Sequence, residues 1–257
     1  MARRVEEWRV PVEAGSGLLG EGLATAIKAT RPVTNGRVAT TAEPVALALP
    51  AIRLETIRVQ IKGTAPLIMH KWSEKALKSI RHTEEKPKGK RHEVVVPLDE
   101  AEATTYWIDQ KAGTPGFPGG GFKAALVDAC RFFGKDLAMT DTKVALHLHS
   151  EPPNNLVRID GCTRKEAVLR EDWVRLSGIA GTPELRYRYE FWPWSAIIEI
   201  TYPVQMMHQV TVLNLVDAAG MGGIGEWRPS SKHSKSGTYG TWTLDRDVEV
   251  QVFAHGH

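Results

Sequence analysis

The stretch 114-TPGFPGGGFKAALVDACRFFGKD-136 decides how the rest of the chain is read. Pro118 and the glycines Gly119, Gly120 and Gly121 interrupt any regular element. Phe122, Leu126, Val127, Cys130 and Phe133 then recur at helical spacing until Gly134. This is a glycine-rich turn feeding directly into an amphipathic helix. The first N–H groups of a helix have no partner inside it and carry partial positive charge, so such a start can seat a phosphate. Tight packing of a helix start also needs glycine, and the turn alone does not choose between the two.

On its N-terminal side, 53-RLETIRVQIK-62 alternates apolar Leu54, Ile57, Val59 and Ile61 with polar residues, imperfectly at first and then strictly, the pattern of a half-buried strand. The spacing predicts a helix over Trp72–Arg81 with Ser73 as its N-cap, then a polar loop through Pro87 and Gly89. Val94–Val96 and Thr104–Ile108 read as short strands. On the C-terminal side, Val144–His149 and Leu156–Ile159 read as strands, and Thr163–Arg188 is charged and ambiguous, with a short helix possible at Lys165–Arg170. Leu185–Trp192 and Ser195–Tyr202 suggest an antiparallel pair joined at Pro193-Trp194. Met207–Ala219 has helical spacing, with Gly220 as the residue that ends it. Thr238–Leu244 and Val248–Phe253 supply closing strands.

Stripped of insertions, this order is β-α-β-β-α-β. We therefore expect an α+β chain with a ferredoxin-like, RRM-like antiparallel sheet, the platform on which RNA-recognition-motif proteins stack bases. Residues 1–50, rich in Ala, Thr, Gly and Pro, read as an extended arm; it either orders on another surface, such as a neighbouring subunit, or is a frayed terminus. Residues 51–257 form the core, with a basic insertion at about 71–96 and a middle insertion at about 135–184.

A second glycine-rich segment, 218-AAGMGGIGEWRPSSKHSKSGTYGTW-242, lies between the last helix and the closing strands. It sets Gly220, Gly222, Gly223, Gly225 and Gly237 among Arg228, Lys232, His233 and Lys235, with Trp227 and Tyr239. Glycine lets backbone approach a ligand, cations neutralise phosphates, and rings stack on bases. Charge points the same way. The net charge of +3 is small, but Lys71–Arg91 holds eight Lys/Arg against three Glu. A segment of that kind suits a polyanion or a solvated charged face.

Two cysteines, Cys130 and Cys162, in no metal-binding spacing argue against a disulfide framework and for a reducing compartment. No apolar run is long enough to cross a membrane, and the expected location is the cytoplasm. No nucleophile motif, zinc-protease motif or P-loop occurs. His147-x-His149 would share one face of a strand without a third metal ligand, and Asp136 and Asp141 read as caps. We expect no catalytic residues, no metal and no cofactor.

PGFPGGGFKAALVDACR resembles the turn and helix of the RAMP superfamily, the RRM-like proteins of CRISPR systems. GGIGEWRP and GTYGTW resemble that superfamily's C-terminal glycine-rich loop. PLIMHKWSEKA, FPGGGFKAALVDA, AAGMGGIGEWRP and TYGTW together look like a group of phage and prophage proteins similar to the CRISPR backbone subunit, over roughly residues 53–253. The resemblance implies an RRM-like fold with an insertion, binding of single-stranded nucleic acid, and side-by-side assembly into a filament. It also implies other phage or CRISPR-like subunits as partners. The chain lacks a repeat-processing signature, which leaves single-stranded DNA open as a ligand beside RNA.

These readings converge on non-enzymatic, largely sequence-independent single-strand binding. Phosphates would meet Lys71, Lys86, Lys88, Lys90, Arg91, Arg228, Lys232 and Lys235, with Lys123 and Arg131 on the helix. The backbone would approach at Gly119, Gly120, Gly121, Gly222 and Gly223, and Trp227 and Tyr239 would offer rings. Two alternatives stand: a metal-independent endoribonuclease using His208 or His233 with Tyr239, and an assembly protein whose basic loops meet acidic subunits.

Overall fold

The computed structural model describes residues 49–72, 96–175, 183–232 and 236–255. In chain order its elements are β1 (Leu54–Gly63), β2 (Leu67–Ile68), α1 (Pro97–Thr104), β3 (Trp107–Asp109) and β4 (Thr114–Pro118). Next come α2 (Gly119–Ala129), a short 3-10 turn (Cys130–Phe133), α3 (Met139–Ala145), β5 (His147–Leu148) and β6 (Leu156–Arg158). The chain closes with β7 (Val168–Arg175), β8 (Pro183–Phe191), β9 (Ser195–Pro203), α4 (Gln209–Gly222), β10 (Trp242–Leu244) and β11 (Gln251–His255).

The alternation in β1 and β9 builds the central sheet. Ile57, Val59 and Ile61 are buried on one face of β1, and Ala196, Ile198, Ile200 and Tyr202 on the same face of β9. Both strands meet over nine residue pairs from Leu54↔Pro203 to Lys62↔Ser195. The sheet order is β10-β1-β9-β5, all antiparallel, and β11 continues the β10 edge against the start of β1. Counting β10 and β11 as one interrupted strand, the order is fourth, first, third, second. With α2 before the second strand and α4 after the third, the protein is an α+β fold broadly of the ferredoxin-like arrangement.

Helices α2 and α4 bury Phe122, Ala125, Leu126 and Ala129, and Val212, Leu215, Val216 and Ala219, into the same core. Each large side chain removed from water there stabilises the fold by about 1.5–3 kcal/mol. Trp242 locks the two helices to the sheet. Its ring meets Phe122 edge-on at 5.8 Å, and its Nε1 donates to the Val216 carbonyl at 3.1 Å. The opposite sheet face carries polar pairs beside the exposed Ile197 and Phe253: Arg58 pairs with Glu199, and His149 meets the Thr201 hydroxyl at 2.7 Å. No aromatic side chain of β1 or β9 points outward, so the base-stacking platform expected of this sheet is not built on its two central strands.

Two smaller sheets flank the core. One is β2-β8-β7, dominated by the β7–β8 pairing over residues 168–175 and 183–190; the other is β3-β4-β6.

Several local expectations change. The 168–175 segment is a strand, because its charges find cross-strand partners on β8. Strands β8 and β9 do not pair, since the chain changes sheets at Trp192–Trp194. Helix α2 starts at Gly119 itself, directly after strand β4, so the glycines are part of the helix and not a break before it. Residues 139–145 are helical, leaving only His147–Leu148 as strand. Helix α4 runs on to Gly222, and Gly223 (φ 69°) ends it in place of Gly220. The helix expected at 72–81 lies outside the described residues beyond Trp72. No helix among the described residues is long and apolar enough to cross a membrane.

Candidate nucleic-acid interface

The glycine-rich segment after α4 is a packed clasp. The Glu226 N–H donates to the Ile68 carbonyl at 2.8 Å and the Gly240 N–H to the Pro66 carbonyl at 2.8 Å. Ile224 and Tyr239 close the loop on itself through Gly240 and Trp227. Two glycines are required for this. Gly225 (φ 76°) and Gly240 (φ 67°) adopt left-handed backbone, and a Cβ at either would collide with a carbonyl, of Ile68 and Ile224 respectively. Their freedom is used inside the fold, not toward a ligand.

The clasp and α2 enclose a cavity of about 160 Å³. Phe117 and Tyr106, edge to face at 6.2 Å, form its aromatic side. Gly121, Ala124 and Asp128 of α2 line it opposite Gly223–Glu226, Arg228 and Ser230, and His70 borders it from the end of β2. Residues of both glycine-rich segments therefore line one cavity. Arg228 is fixed there: Nη1 donates to the Gly225 carbonyl at 2.8 Å and Nε to the Ser230 hydroxyl at 3.2 Å. The cavity walls carry mixed charge, since Glu226 and Asp128 face it beside Arg228.

Behind the cavity lies an ionic cluster that ties the β7–β8 hairpin to the clasp. Arg188, 3% exposed, sits 3.8 Å from Asp172 and 3.7 Å from Glu226. Arg170 donates to Glu190, Asp172 and the Tyr239 hydroxyl. Burial lowers the pKa of Arg188, although Glu226 and Asp172 oppose the shift. His70 is pulled down to about 4 by burial and by the charges of Arg188 and Arg186. Its imidazole is therefore neutral. Arg186 Nη1 lies 3.2 Å from His70 Nε2, and a guanidinium can only donate, so Nε2 accepts and the ring proton sits on Nδ1. That buried Nδ1 has no hydrogen-bond partner among the described residues. Tyr106 is pushed up by burial and by Glu226, which keeps its hydroxyl protonated.

The expected site residues divide into three groups. Gly121, Gly223 and Arg228 line the cavity. Lys71 and Lys232 are exposed and Lys123 is half-buried, while Arg131 pairs with Asp128 at 3.3 Å. Gly222 abuts Ser230, and Gly120 faces open space. Gly119 has already given its N–H to the Asn155 carbonyl at 2.9 Å, which takes one donor from the proposed phosphate seat. Trp227 and Tyr239 meet at 6.0 Å, but two guanidinium groups lie against Trp227 and one against Tyr239. Lys86, Lys88, Lys90, Arg91 and Lys235 lie outside the described residues.

Tyr106, Phe117, Asp128 and Glu226 escaped the sequence reading because they come from four separate segments with no shared spacing. For the catalytic alternatives, His208 occupies the N-cap position of α4 without a side-chain capping bond, and the Tyr239 hydroxyl is engaged by Arg170. His233 lies outside the described residues. The rings of His147 and His149 meet edge to face at 5.6 Å, with His149 just past the end of β5. No group of three or more His, Cys, Asp or Glu among the described residues is placed to hold a metal ion.

No protein-family model matches the chain, and no curated protein matches it. Among solved structures, one described as "Cryo-EM structure of the Type III-B Cmr-beta bound to cognate target RNA" contains a chain similar to this one, with a TM-score of 0.43 and 10% identity. The likeness covers 78% of this chain and 61% of that chain, so this protein spans less than two thirds of its length. The likeness is distant. The site is defined by the residues above: a small, half-open cavity with one fixed guanidinium, two carboxylates and two rings.

Proposed function

We propose that the protein binds single-stranded nucleic acid without altering it chemically, along the surface where α2 meets the glycine clasp. The observation that carries this reading is the shared cavity, into which both glycine-rich segments and Arg228 converge. Exposed Lys71 and Lys232 supply the phosphate contacts among the described residues, and the Lys-rich sequence 71–91 joins the chain immediately after His70. Phosphate contacts carry no sequence information, so this grip is largely sequence-independent. The arm-like sequence of residues 1–50 suits contact with a neighbouring subunit, and side-by-side assembly along the strand completes the reading.

Titration against single-stranded DNA, single-stranded RNA and duplex of about 30 nucleotides, at two salt concentrations, tests it. Single-strand binding that weakens steeply with salt, together with larger assemblies on longer strands, is the expected result. Equal weak binding to all three with no salt dependence overturns it.

A further inference from the structure

The walls of the cavity are wrong for a phosphate. Two of its polar groups, Glu226 and Asp128, are carboxylates with side chains 41% and 42% exposed; each is paired with an arginine, Arg188 and Arg131, and both offer an incoming group only acceptors, which a phosphate cannot use. Its other features suit a flat, neutral, amphipathic ring. Phe117 and Tyr106 offer apolar faces and edges, and Arg228 and Tyr106 can donate. An apolar protein cavity of about 150 Å³ is known to hold one benzene ring. At about 160 Å³ and open to solvent on one side, this cavity has room for one heterocycle and not for a stretch of chain.

We infer that the cavity receives a single unstacked nucleobase bearing an exocyclic amino group. The inference rests on the single-strand reading above and adds base selectivity to it. The selectivity follows from the polar atoms. Carboxylates accept hydrogen bonds and cannot donate them, and a guanidinium donates and cannot accept. Adenine and cytosine present an amino donor beside a ring-nitrogen acceptor, which matches a carboxylate next to a guanidinium. Thymine and uracil flank their one N–H with carbonyls on both sides, so a carboxylate there meets lone pairs. The phosphates of the same strand stay outside, against the exposed lysines.

Anisotropy titrations with oligo-dC, oligo-dA and oligo-dT of equal length test the inference on the full chain. Wild-type protein is expected to bind dC and dA about tenfold more tightly than dT, within what one bidentate base contact supplies. Glu226→Gln turns one acceptor into a mixed donor and acceptor of the same shape. Ala124→Phe, at an exposed α2 position on the cavity wall, fills the space. Each variant should bring the ratio near one by weakening dC and dA binding more than dT binding. If Glu226→Gln fails to fold because Arg188 loses its partner, Ala124→Phe decides alone. A ratio near one in the wild type, with salt-dependent binding retained, overturns this inference and leaves the single-strand reading standing. A ratio unchanged in the folded variants places the selectivity elsewhere and also overturns it. Absence of binding to all three overturns both.

Discussion

The guanidinium carbon of Arg170 lies 5.5 Å from the centroid of the Trp227 ring, joining the β7–β8 hairpin to the glycine clasp. Tyr239 takes the same guanidinium at 5.1 Å, and Arg188 approaches Trp227 at 5.6 Å. Trp227 holds a left-handed backbone (φ 54°), a conformation uncommon for a large side chain, and the two arginines are its ring's partners. The ring's main task is to anchor the clasp that forms one wall of the cavity.

Removing Arg170 should therefore unfold more than it unbinds. It leaves Asp172, whose side chain is 3% exposed, and Glu190, at 19%, without their main counter-charge. Breaking a buried pair from one side costs about 3–5 kcal/mol. Arg170→Ala is expected to lose about 3 kcal/mol in equilibrium denaturation, and Arg170→Lys to recover only part of it, because one ammonium cannot reproduce the fork of contacts. A loss below about 1 kcal/mol would show that the cluster is solvated and the clasp is held by its backbone alone.

His70 gives the fold a pH dependence of defined sign. Its folded pKa of about 4 lies below the ordinary 6.5, so between those values the unfolded chain binds a proton that the folded one refuses. The contribution is intact above pH 6.5 and is lost as pH falls toward 4. The loss is on the order of 2 kcal/mol after allowing for partial exposure. Denaturation midpoints measured across this window should flatten in His70→Gln relative to wild type. An unchanged slope would assign the dependence to the carboxylates instead.

The central sheet was readable because β1 alternates strictly from Ile57 onward and β9 buries every second residue from Ala196 to Tyr202. The β7–β8 hairpin was not, because Arg170, Glu171 and Asp172 look like loop residues until Arg186, Arg188 and Glu190 lie across from them. The apparent β8–β9 hairpin failed for a related reason. Proximity in sequence favours pairing, but β9 buries Ile198 and Ile200 against β1, whereas β8 runs beside β7 and β2. At the site, each glycine-rich segment was legible separately, and residues of both line one cavity. The task of each glycine was not legible in the sequence, since an internal carbonyl and a ligand place the same demand on a backbone.

That distinction can be measured. Gly225→Ala must adopt φ 76° and drive a methyl group into the Ile68 carbonyl, so it should lose about 2 kcal/mol or more, or fail to fold. Gly120 in α2 has nothing near the position a Cβ would take. Gly120→Ala should gain up to about 1 kcal/mol from helix propensity. Thermal melts of the two variants, compared with single-strand affinity, separate glycines that serve the fold from any that serve a ligand. A Gly120→Ala variant that is more stable but binds at least tenfold more weakly would identify close backbone approach at that residue.

The phosphate grip predicts a slope as well as an affinity. For single strands, log K falls with log salt by about 0.7 for each phosphate neutralised. Lys71 and Lys232 are exposed beside the cavity's two flanks in sequence, next to His70 and to Ser230 respectively. Lys71→Ala and Lys232→Ala should each reduce the slope by about 0.7, and the double variant by about twice that. Arg58 provides the control. It is paired with Glu199 on the polar face of the sheet, so Arg58→Ala should leave the slope where it was. A slope that responds to Arg58 and not to the two lysines would move the strand to that sheet face, where Lys62 and the exposed ring of Phe253 would have to receive it.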